Sequence, residues 1–325
     1  MSDLFIIGNG FDRAHGLETS YYDFHQFIKD SCKNMPYIGV VELVSQDSEN
    51  KIDGMIVYEP VEYLDFFQII IDQTDGPDWK NFEDALGRLD FSDILRDYGT
   101  SYDTDSIKYL NERSIESINQ AVLTVKEMFP LWVKSIVIDN RIKKKDRIQE
   151  MLKNSHYILN FNYTDTLEKI YGEKSVFHIH GNQHSSIIFG HGNYVDEEFD
   201  DEEFEIYPGA GSYLNIMKAE LKKPVDRIIK RAETQNFLDS IKDVMKIYSY
   251  GFSYGSVDLP YIIEICKHID THNVTWYFND YSSDYEIKKY QKIVKNCGFE
   301  GYFSTFHVQL AVFAYCLNKA SDLEK

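Results

Sequence analysis

A glycine-rich turn follows the first apolar run of the chain. Gly8 and Gly10 stand directly after the strand-like segment that begins at Asp3. Glycines at such a turn let the backbone approach a phosphate without interference from Cβ atoms, and the backbone N–H groups can then face the anion. The dinucleotide-binding fingerprint has a third glycine where this chain has Arg13, so the pair fits both phosphate binding and a structural tight turn.

An acidic side chain belongs to the same turn. A carboxylate beside a pyrophosphate is electrostatically unfavourable, so Asp12 does not fit a simple phosphate cradle. We expect Asp12 to accept a hydrogen bond from a ribose hydroxyl, an amide or a water. The alternative is a structural role as the cap of the following helix.

An asparagine ends the second apolar run. Asn162 follows His156–Phe161, at a point where an amide can orient a water or a ribose hydroxyl. A turn-forming asparagine is the alternative interpretation. Thr164 or Asp165 would cap the helix that follows.

Two histidines alternate in the next apolar run. His178 and His180 are predicted to share one face of a strand. His180, with Gly181 beside it, fits a general base at the end of that strand. The pair also fits a metal-binding site, helped by His184 or His191.

Two later runs also end in polar or small residues. Gly251, Ser253 and Asp258 follow one of them, and Asn279 ends the next. The carboxyl ends of parallel strands meet at one edge of a sheet, where α/β proteins bind their ligands. The convergence of these polar ends is therefore the main functional signal of the sequence.

The apolar runs that precede these residues are typical of parallel strands buried on both faces. Helical patterns separate most of them, so the predicted fold class is a doubly wound, mostly parallel, Rossmann-like α/β sheet. The predicted strands are Asp3–Gly8, His156–Phe161, Val176–His180, Ile187–Phe189, Lys246–Phe252, Val274–Asn279 and Gly301–Phe306, followed by a closing helix from Val308 to Leu317.

A mostly helical insertion is predicted between the first βα unit and the rest of the sheet. Residues 1–30 and 150–325 would form the α/β core, and residues 31–149 the insertion, which would cap the carboxyl edge. The predicted helices of the insertion are Val61–Ile71, Phe82–Leu89 and Ser106–Ile138, the last kinked or divided at Pro130.

Composition limits the functional classes. The net charge of −19 over 325 residues repels phosphate backbones, which makes nucleic acid an unfavourable partner. The four cysteines form no CxxC pair, and no apolar run reaches the ~20 residues that span a bilayer. We therefore expect a cytoplasmic protein without a membrane partner. The acidic run Asp196–Glu205 predicts a solvated loop or, alternatively, a lid over the cleft.

The order of these motifs resembles that of sirtuins. The Gly8–Asp12 segment is similar to the sirtuin GAGxS motif, Asn162-Tyr163 to the TQNID segment, and His180-Gly181 to the catalytic His-Gly. Gly251 and Ser253 resemble the strand end at the adenosine side of NAD. Asn279 resembles the asparagine that reaches the adenine ribose. The zinc cysteines of deacetylase sirtuins are absent, so the resemblance does not extend to deacetylation.

More narrowly, the chain resembles the AbiH abortive-infection proteins. The segments Ile6–Asp12 and His15–Leu17 resemble the opening of that family, and Phe82-Glu83 and Phe161–Tyr163 fit it as well. This family belongs to bacterial phage defence, and related sirtuin-like defence proteins degrade NAD.

The two resemblances imply an NAD⁺ glycohydrolase that acts in abortive infection. NAD would be the substrate, no metal would be needed, and a phage-derived trigger and a homo-oligomer are expected partners. The alternatives are a non-catalytic NAD or ADP-ribose sensor and a metal-dependent hydrolase or nuclease. The expected catalytic residues are Asn162 and His180, which the resemblance implies, and Asp12, which would stabilise the cationic sugar electrostatically. The expected nucleotide-binding residues are Gly8, Asn9, Gly10, Phe11, Asp165, Gly251, Ser253, Asp258 and Asn279.

Overall fold

A parallel six-stranded sheet forms the centre of the protein. The structure, a computed structural model, describes residues 2–33, 39–44, 51–52, 55–56, 60–97, 104–153, 156–192 and 207–308. The strands in chain order are β1 (Ser2–Ile7), β2 (Val40–Val44), β3 (Lys51–Ile52), β4 (Met55–Ile56), β5 (Pro60–Asp65), β6 (His156–Asn160), β7 (Val176–His178), β8 (Val244–Tyr250), β9 (Thr275–Asn279) and β10 (Tyr302–Phe306).

The large sheet has the strand order β10-β9-β8-β1-β6-β7, and every pairing in it is parallel. When its six strands are renumbered along the chain, this is the 3-2-1-4-5-6 order of Rossmann sheets. The strand order reverses between β1 and β8. This confirms the predicted parallel, Rossmann-like α/β sheet, and it places the expected ligand crevice outside the carboxyl ends of those two strands.

Helices cover the sheet and its carboxyl edge. They are α1 (Asn9–Ala14), α2 (Tyr21–Cys32), α3 (Phe66–Asp72), α4 (Trp79–Leu86), α5 (Thr104–Ser135), α6 (Asp146–Met151), α7 (Gly211–Leu221), α8 (Val225–Ile229), α9 (Ala232–Ser240), α10 (Leu259–His268) and α11 (Asp284–Asn296). A π-helix spans Leu167–Tyr171, and short 3₁₀ turns span Ser256–Asp258 and Thr271–Asn273. Within the described residues, none of these helices is long and apolar enough to cross a membrane.

Strand β1 is apolar on both of its faces, which explains why helices cover both sides of the sheet. Leu4 and Ile6 belong to one apolar core, and Phe5 and Ile7 to another on the opposite face. All four side chains are almost completely buried. A strand with two buried faces is stable only when helices pack on both sides, as they do here.

A separate aromatic core joins α2, α3, α4 and α5. Phe129 of α5 stacks on Phe189 with 4.2 Å between ring centroids, and Tyr21 stacks on Phe82 at 5.0 Å. Phe24, fully buried in α2, packs edge-on against Phe129. This core fixes α4 and α5 above the carboxyl edge of the sheet.

Three predicted elements differ from the structure. Ile187–Phe189 is not a strand, because the chain turns at Gly181 (φ +83°) and Phe189 packs into the aromatic core instead of the sheet. Val61–Ile71 is not one helix: β5 ends at Asp65, whose carboxylate accepts the N–H groups of Phe67 and Gln68 and starts α3.

The third difference concerns the predicted division at Pro130: α5 runs through this proline as one 32-residue helix, and the alternative of a kink there stays a prediction. The bounds of the other predicted strands agree with the structure to within two residues. The acidic run Asp196–Glu205, and all of the predicted closing helix after Val308, lie outside the described residues.

Candidate functional site

A cavity of about 700 Å³ lies outside the carboxyl ends of β1, β6, β8 and β9, beneath α4 and the end of α5. Its position is the topological switch point of the sheet. Ten of the twelve predicted site residues line it; Phe11 and Asp165 do not. The ten are Gly8, Asn9, Gly10, Asp12, Asn162, His180, Gly251, Ser253, Asp258 and Asn279.

The glycines of the first turn allow two loops to touch. A Cβ on Gly8 would lie 2.6 Å from the carbonyl oxygen of Gly251, and a Cβ on Gly10 would lie 2.6 Å from the Cα of Gly251. Gly251 itself has a φ of +66°, and a Cβ there would lie 2.2 Å from the backbone nitrogen of Phe11. The close approach of the loops after β1 and β8 therefore requires all three glycines.

The expected phosphate cradle is not formed by these two glycine N–H groups. The N–H of Gly8 donates to the carbonyl of Tyr250 at 3.0 Å, and that of Gly10 donates to the carbonyl of Gly251 at 2.9 Å. Both donors are therefore engaged within the protein. The glycines shape the cavity wall, and any anion must find other cationic or polar partners.

Asp12 is buried on α1, with 1 % of its surface exposed. The hydroxyl of Thr166 donates to Oδ1 at 2.7 Å, and the hydroxyl of Thr164 donates to Oδ2. Burial raises the pKa of Asp12 to about 6, although these two hydroxyls and Asn162 lower it. The carboxylate is consequently ionised at neutral pH, in a place where water cannot screen its charge.

Asn162 is fixed by its neighbours on both sides. Its side-chain Nδ2 donates to the carbonyl of Gly8 at 3.1 Å, and its backbone N–H donates to Oδ1 of Asn160 at 3.0 Å. The loop after β6 is in this way tied to the loop after β1. The amide therefore has a defined orientation at the cavity wall.

His180 lies in an aromatic pocket at the β7 side of the cavity. Its ring packs against Phe161 and Tyr261, with centroids 5.6 and 5.4 Å away, and Nε2 lies 3.2 Å from the hydroxyl of Tyr261. Burial, together with the nearby charge of Lys223, holds the pKa of His180 well below its usual value. At neutral pH the imidazole is therefore neutral, and its lowered pKa makes it a weaker base than an exposed histidine.

An ion pair that sequence reasoning missed lies next to His180. Nζ of Lys223, 2 % exposed, donates to Oε1 of Glu83 at 2.8 Å. Asp258 completes the group, with Oδ1 3.9 Å from Nε2 of His180. Lys223 comes from a short loop without a motif, so no sequence signal pointed to it; Glu83 belongs to the family-like Phe82-Glu83 segment, but had no assigned role.

These charges affect one another. Burial alone would lower the pKa of Lys223, but the carboxylates of Glu83 and Asp258 outweigh burial and raise it. Burial raises the pKa of Asp258 to about 7, and Lys223 only partly offsets this. Oδ1 of Asp258 has no hydrogen-bond partner among the described residues. A buried acid of this kind can hold or release a proton near neutral pH.

The opposite side of the cavity is built by the loop after β8 and the end of β9. Tyr254 has a φ of +54°, which costs a non-glycine residue about 1–3 kcal/mol and is common near functional sites. Its buried hydroxyl donates to Oγ of Ser249 at 2.7 Å and accepts from Nε1 of Trp276 at 3.0 Å. Asn279 follows on β9, and its buried Nδ2 has no acceptor in the described part of the chain.

Two predicted contacts and the predicted histidine pair are not found in the cavity. Phe11 is the third residue of α1, and its ring points into the core against Tyr250. Asp165 pairs with Nε2 of His184 at 2.6 Å, away from the cavity. β7 ends at His178, so His178 bonds Glu168 while His180 turns into the cavity, and the two histidines do not converge on one ion.

The arrangement combines a neutral imidazole, an oriented amide, a buried carboxylate and a buried proton-holding acid. These groups can activate water and stabilise a developing positive charge. The cavity also carries cationic side chains, including Arg13 and Lys80, that can pair with phosphate.

Of three comparisons with known proteins, one gives a match. Neither the search of curated proteins nor the search of solved structures found a significant match. The chain does match, over residues 4–280, the family described as Bacteriophage abortive infection AbiH. Of the described helices and strands, only α11 and β10 lie beyond the end of that span. Five of the residues that line the cavity also lie beyond it: Tyr281, Ser282, Glu286, Tyr290 and Val308. The protein therefore belongs to the AbiH family, whose description indicates a role in abortive infection by bacteriophage.

Proposed function

We propose that this protein is a sirtuin-like NAD⁺ glycohydrolase that acts in abortive infection. The observation that carries the proposal is the meeting of Asp12, Asn162 and His180, which are far apart in sequence, around one cavity at the switch point of a Rossmann-ordered sheet. Removal of NAD stops the metabolism of an infected cell, which is an outcome suited to abortive infection.

The width of the cavity fits a dinucleotide. Asn279 ends β9 and His180 follows β7, and these two strands are four strand spacings apart in the sheet. At the usual spacing this distance is about 19 Å. We place the adenosine near Asn279 and Ser253, where the unpartnered Nδ2 of Asn279 can donate to a ribose hydroxyl. The nicotinamide ribose then lies near Asn162 and His180.

The pyrophosphate would lie between these two ends. Because the N–H groups of Gly8 and Gly10 are engaged, Arg13 and Lys80 are the cavity side chains proposed to pair with it. Lys80 is well placed for this role, since its Nζ lies 3.4 Å from the carbonyl of Ser253 and its side chain is 21 % exposed.

In the proposed reaction, water adds to the anomeric carbon of the nicotinamide ribose. The bond between that carbon and the pyridinium nitrogen breaks, its electron pair stays with nitrogen, and neutral nicotinamide leaves. Asp12 stabilises the cationic sugar of the transition state, and Asn162 orients the ribose or the water. The imidazole of His180 accepts the proton of the water, and the other product is ADP-ribose.

The direct test is nicotinamide release from NAD by the purified full-length protein. The assay is run with and without lysate from phage-infected cells, because a phage-derived trigger is an expected partner. We expect His180→Ala and Asn162→Ala to reduce turnover by at least about 10²-fold with the fold intact. Matched controls are His272→Ala and Asn273→Ala, which change exposed residues of the turn before β9.

The outcomes separate the candidate functions. Nicotinamide release that depends on Asn162 and His180 but not on His272 and Asn273 supports the glycohydrolase. Calorimetric binding of NAD or ADP-ribose without product, in both conditions, would replace it with a nucleotide-sensing role. Absence of both turnover and binding would overturn the assignment of this cavity to NAD.

A further inference from the structure

Three metal-ligating side chains converge on the β7 side of the sheet, outside the cavity described above. Asp165, Glu168 and His178 each offer one ligand atom, and these atoms all lie within 4.8 Å of one another. Nε2 of His178 is 2.8 Å from Oε1 of Glu168. None of the three residues lines the cavity, so this cluster is a separate feature of the molecule.

Two carboxylate oxygens of this cluster are buried and accept no hydrogen bond from the described residues. Oδ1 of Asp165 and Oε2 of Glu168 have no hydrogen-bond partner among the described residues. The Asp165 side chain is only 5 % exposed, and its other oxygen is engaged by His184 at 2.6 Å. A buried carboxylate oxygen costs free energy unless a proton donor or a cation meets it.

The histidine is oriented as a metal ligand would be. Nδ1 of His178 lies 2.9 Å from the backbone carbonyl of Asn162, to which it donates. That contact fixes the ring and aims Nε2 at the two carboxylates. Histidines that bind metals commonly use the second ring nitrogen in this way, to donate to a carbonyl or carboxylate.

We propose that Asp165, Glu168 and His178 bind one first-row divalent cation, with Zn²⁺ bound more tightly than Mn²⁺. One imidazole and two carboxylates suit such an ion, whereas Mg²⁺ and Ca²⁺ prefer all-oxygen ligands. Bonds of 2.0–2.2 Å in a tetrahedral site place ligand atoms about 3.4 Å from one another, so Nε2 of His178 and Oε1 of Glu168, now 2.8 Å apart, would separate slightly. The ion would meet both unsatisfied carboxylate oxygens. This departs from the sequence-based expectation that no metal is present.

The role of this ion is structural. It would link the π-helix, which carries Glu168, to the end of β7 and, through His178, to the backbone of Asn162. The same loop carries the two threonines that hold Asp12. The cation would thus stiffen the loop that forms one wall of the cavity, without touching a ligand in it.

The test is binding of Zn²⁺ and Co²⁺ to tag-free, chelator-treated full-length protein. Calorimetry measures Zn²⁺ affinity and stoichiometry, and the visible absorption of bound Co²⁺ reports its coordination. The variants are Asp165→Asn and Glu168→Gln, each checked for folding by circular dichroism. The matched control is Glu173→Gln, because Glu173 forms a similar pair with His156 at 2.9 Å but belongs to no such cluster in the described residues.

We expect one equivalent of Zn²⁺ in the wild type and in Glu173→Gln, and an affinity at least about tenfold lower in Asp165→Asn and Glu168→Gln. Zn²⁺ should also raise the melting temperature of the wild type and of the control variant, but not of the two cluster variants. If one cluster variant fails to fold, the other decides. Absence of saturable Zn²⁺ and Co²⁺ binding in the wild type, or equal affinity in all variants, would overturn the proposal.

Discussion

At the scale of single residues, the site contains a buried carboxylate, that of Asp12, whose charge destabilises the fold. Asp12 is 1 % exposed and accepts hydrogen bonds from the hydroxyls of Thr164 and Thr166. Burial raises its pKa from 3.8 to about 6, so the folded protein binds a proton more strongly than the unfolded chain does. Stability is therefore highest below pH 4 with respect to this group, and decreases as the pH rises towards 6.

This residue gives a stability prediction with a defined sign. Asp12→Asn removes the buried charge but keeps a group that the threonine hydroxyls can bond. We expect the variant to be more stable than the wild type at pH 7.5, by up to about 3 kcal/mol, and to lose most of this gain at pH 4.5. Urea unfolding at the two pH values measures it, with the exposed Asp72→Asn as control. A gain of equal size at both pH values would contradict the argument.

A second prediction for single residues compares two glycines, one of which is needed only for its backbone conformation and the other also for steric reasons. Gly251 and Gly172 both have positive φ, +66° and +79°, but a Cβ at Gly251 would lie 2.2 Å from a backbone nitrogen, whereas nothing lies within 4 Å of one at Gly172. We expect Gly172→Ala to cost about 1 kcal/mol, the conformational term, and Gly251→Ala to cost more than about 3 kcal/mol. Denaturant unfolding of the two variants tests this. Equal destabilisation would show that the two loops can move apart.

At the scale of elements, one buried ion pair attaches α4 to the sheet edge. Lys223 stands directly before Pro224 and α8, and its contact with Glu83 reaches across the cavity wall. Removing one partner leaves an uncompensated buried charge, whereas removing both does not. The pair can therefore fix the position of α4 even if its net contribution to stability is small.

The corresponding prediction is a double-mutant cycle. Lys223→Met should destabilise the protein by about 3–5 kcal/mol, because Glu83 and Asp258 then share a buried site without a cation. The double variant Glu83→Leu/Lys223→Met should recover most of that loss. Thermal and urea unfolding give the coupling energy between the two sites. If the double variant were as unstable as the single one, the lysine would act through packing rather than charge.

The secondary-structure elements also show how much of the fold and of the site could be predicted from the sequence. The parallel strands were predictable because alternating or continuous apolar runs ended at glycine or at polar residues, and the gathering of Asn162 and His180 at one cavity follows from parallel topology. The strand β5 was missed because Val61–Ile71 also satisfies helical spacing, and only the capping contact of Asp65 divides it. Lys223 could not be predicted, since its partner Glu83 is 140 residues away and no motif surrounds the lysine.

At the scale of the whole molecule, the cavity is an interface between two apolar units. The sheet contributes the loops after β1, β6, β8 and β9, and the aromatic core contributes Trp79, Phe129 and Trp132. A ligand that spans this interface contacts both units at once. Its binding energy therefore adds to the stability of the entire fold rather than to one loop.

The overall charge sets a condition on such a ligand. The chain carries 53 acidic and 34 basic residues, so a diffuse anionic surface would be repelled. The proposed nucleotide would instead be held by fixed groups such as Lys80 and Asn279. Recognition should then depend on occupying both ends of the cavity together.

This leads to a prediction for binding. ADP-ribose at about one hundred times its dissociation constant should stabilise the wild type by about 2.7 kcal/mol, which corresponds to several degrees in melting temperature. AMP and nicotinamide occupy only one end each, and should give smaller shifts at equal concentration. Asn279→Ala should reduce the ADP-ribose shift, because the unpartnered Nδ2 on β9 is lost, whereas the exposed Asn273→Ala should not. Thermal unfolding monitored by circular dichroism measures these changes in melting temperature. If AMP raised the melting temperature as much as ADP-ribose does, the cavity would recognise a mononucleotide, and its β7 side would serve another ligand.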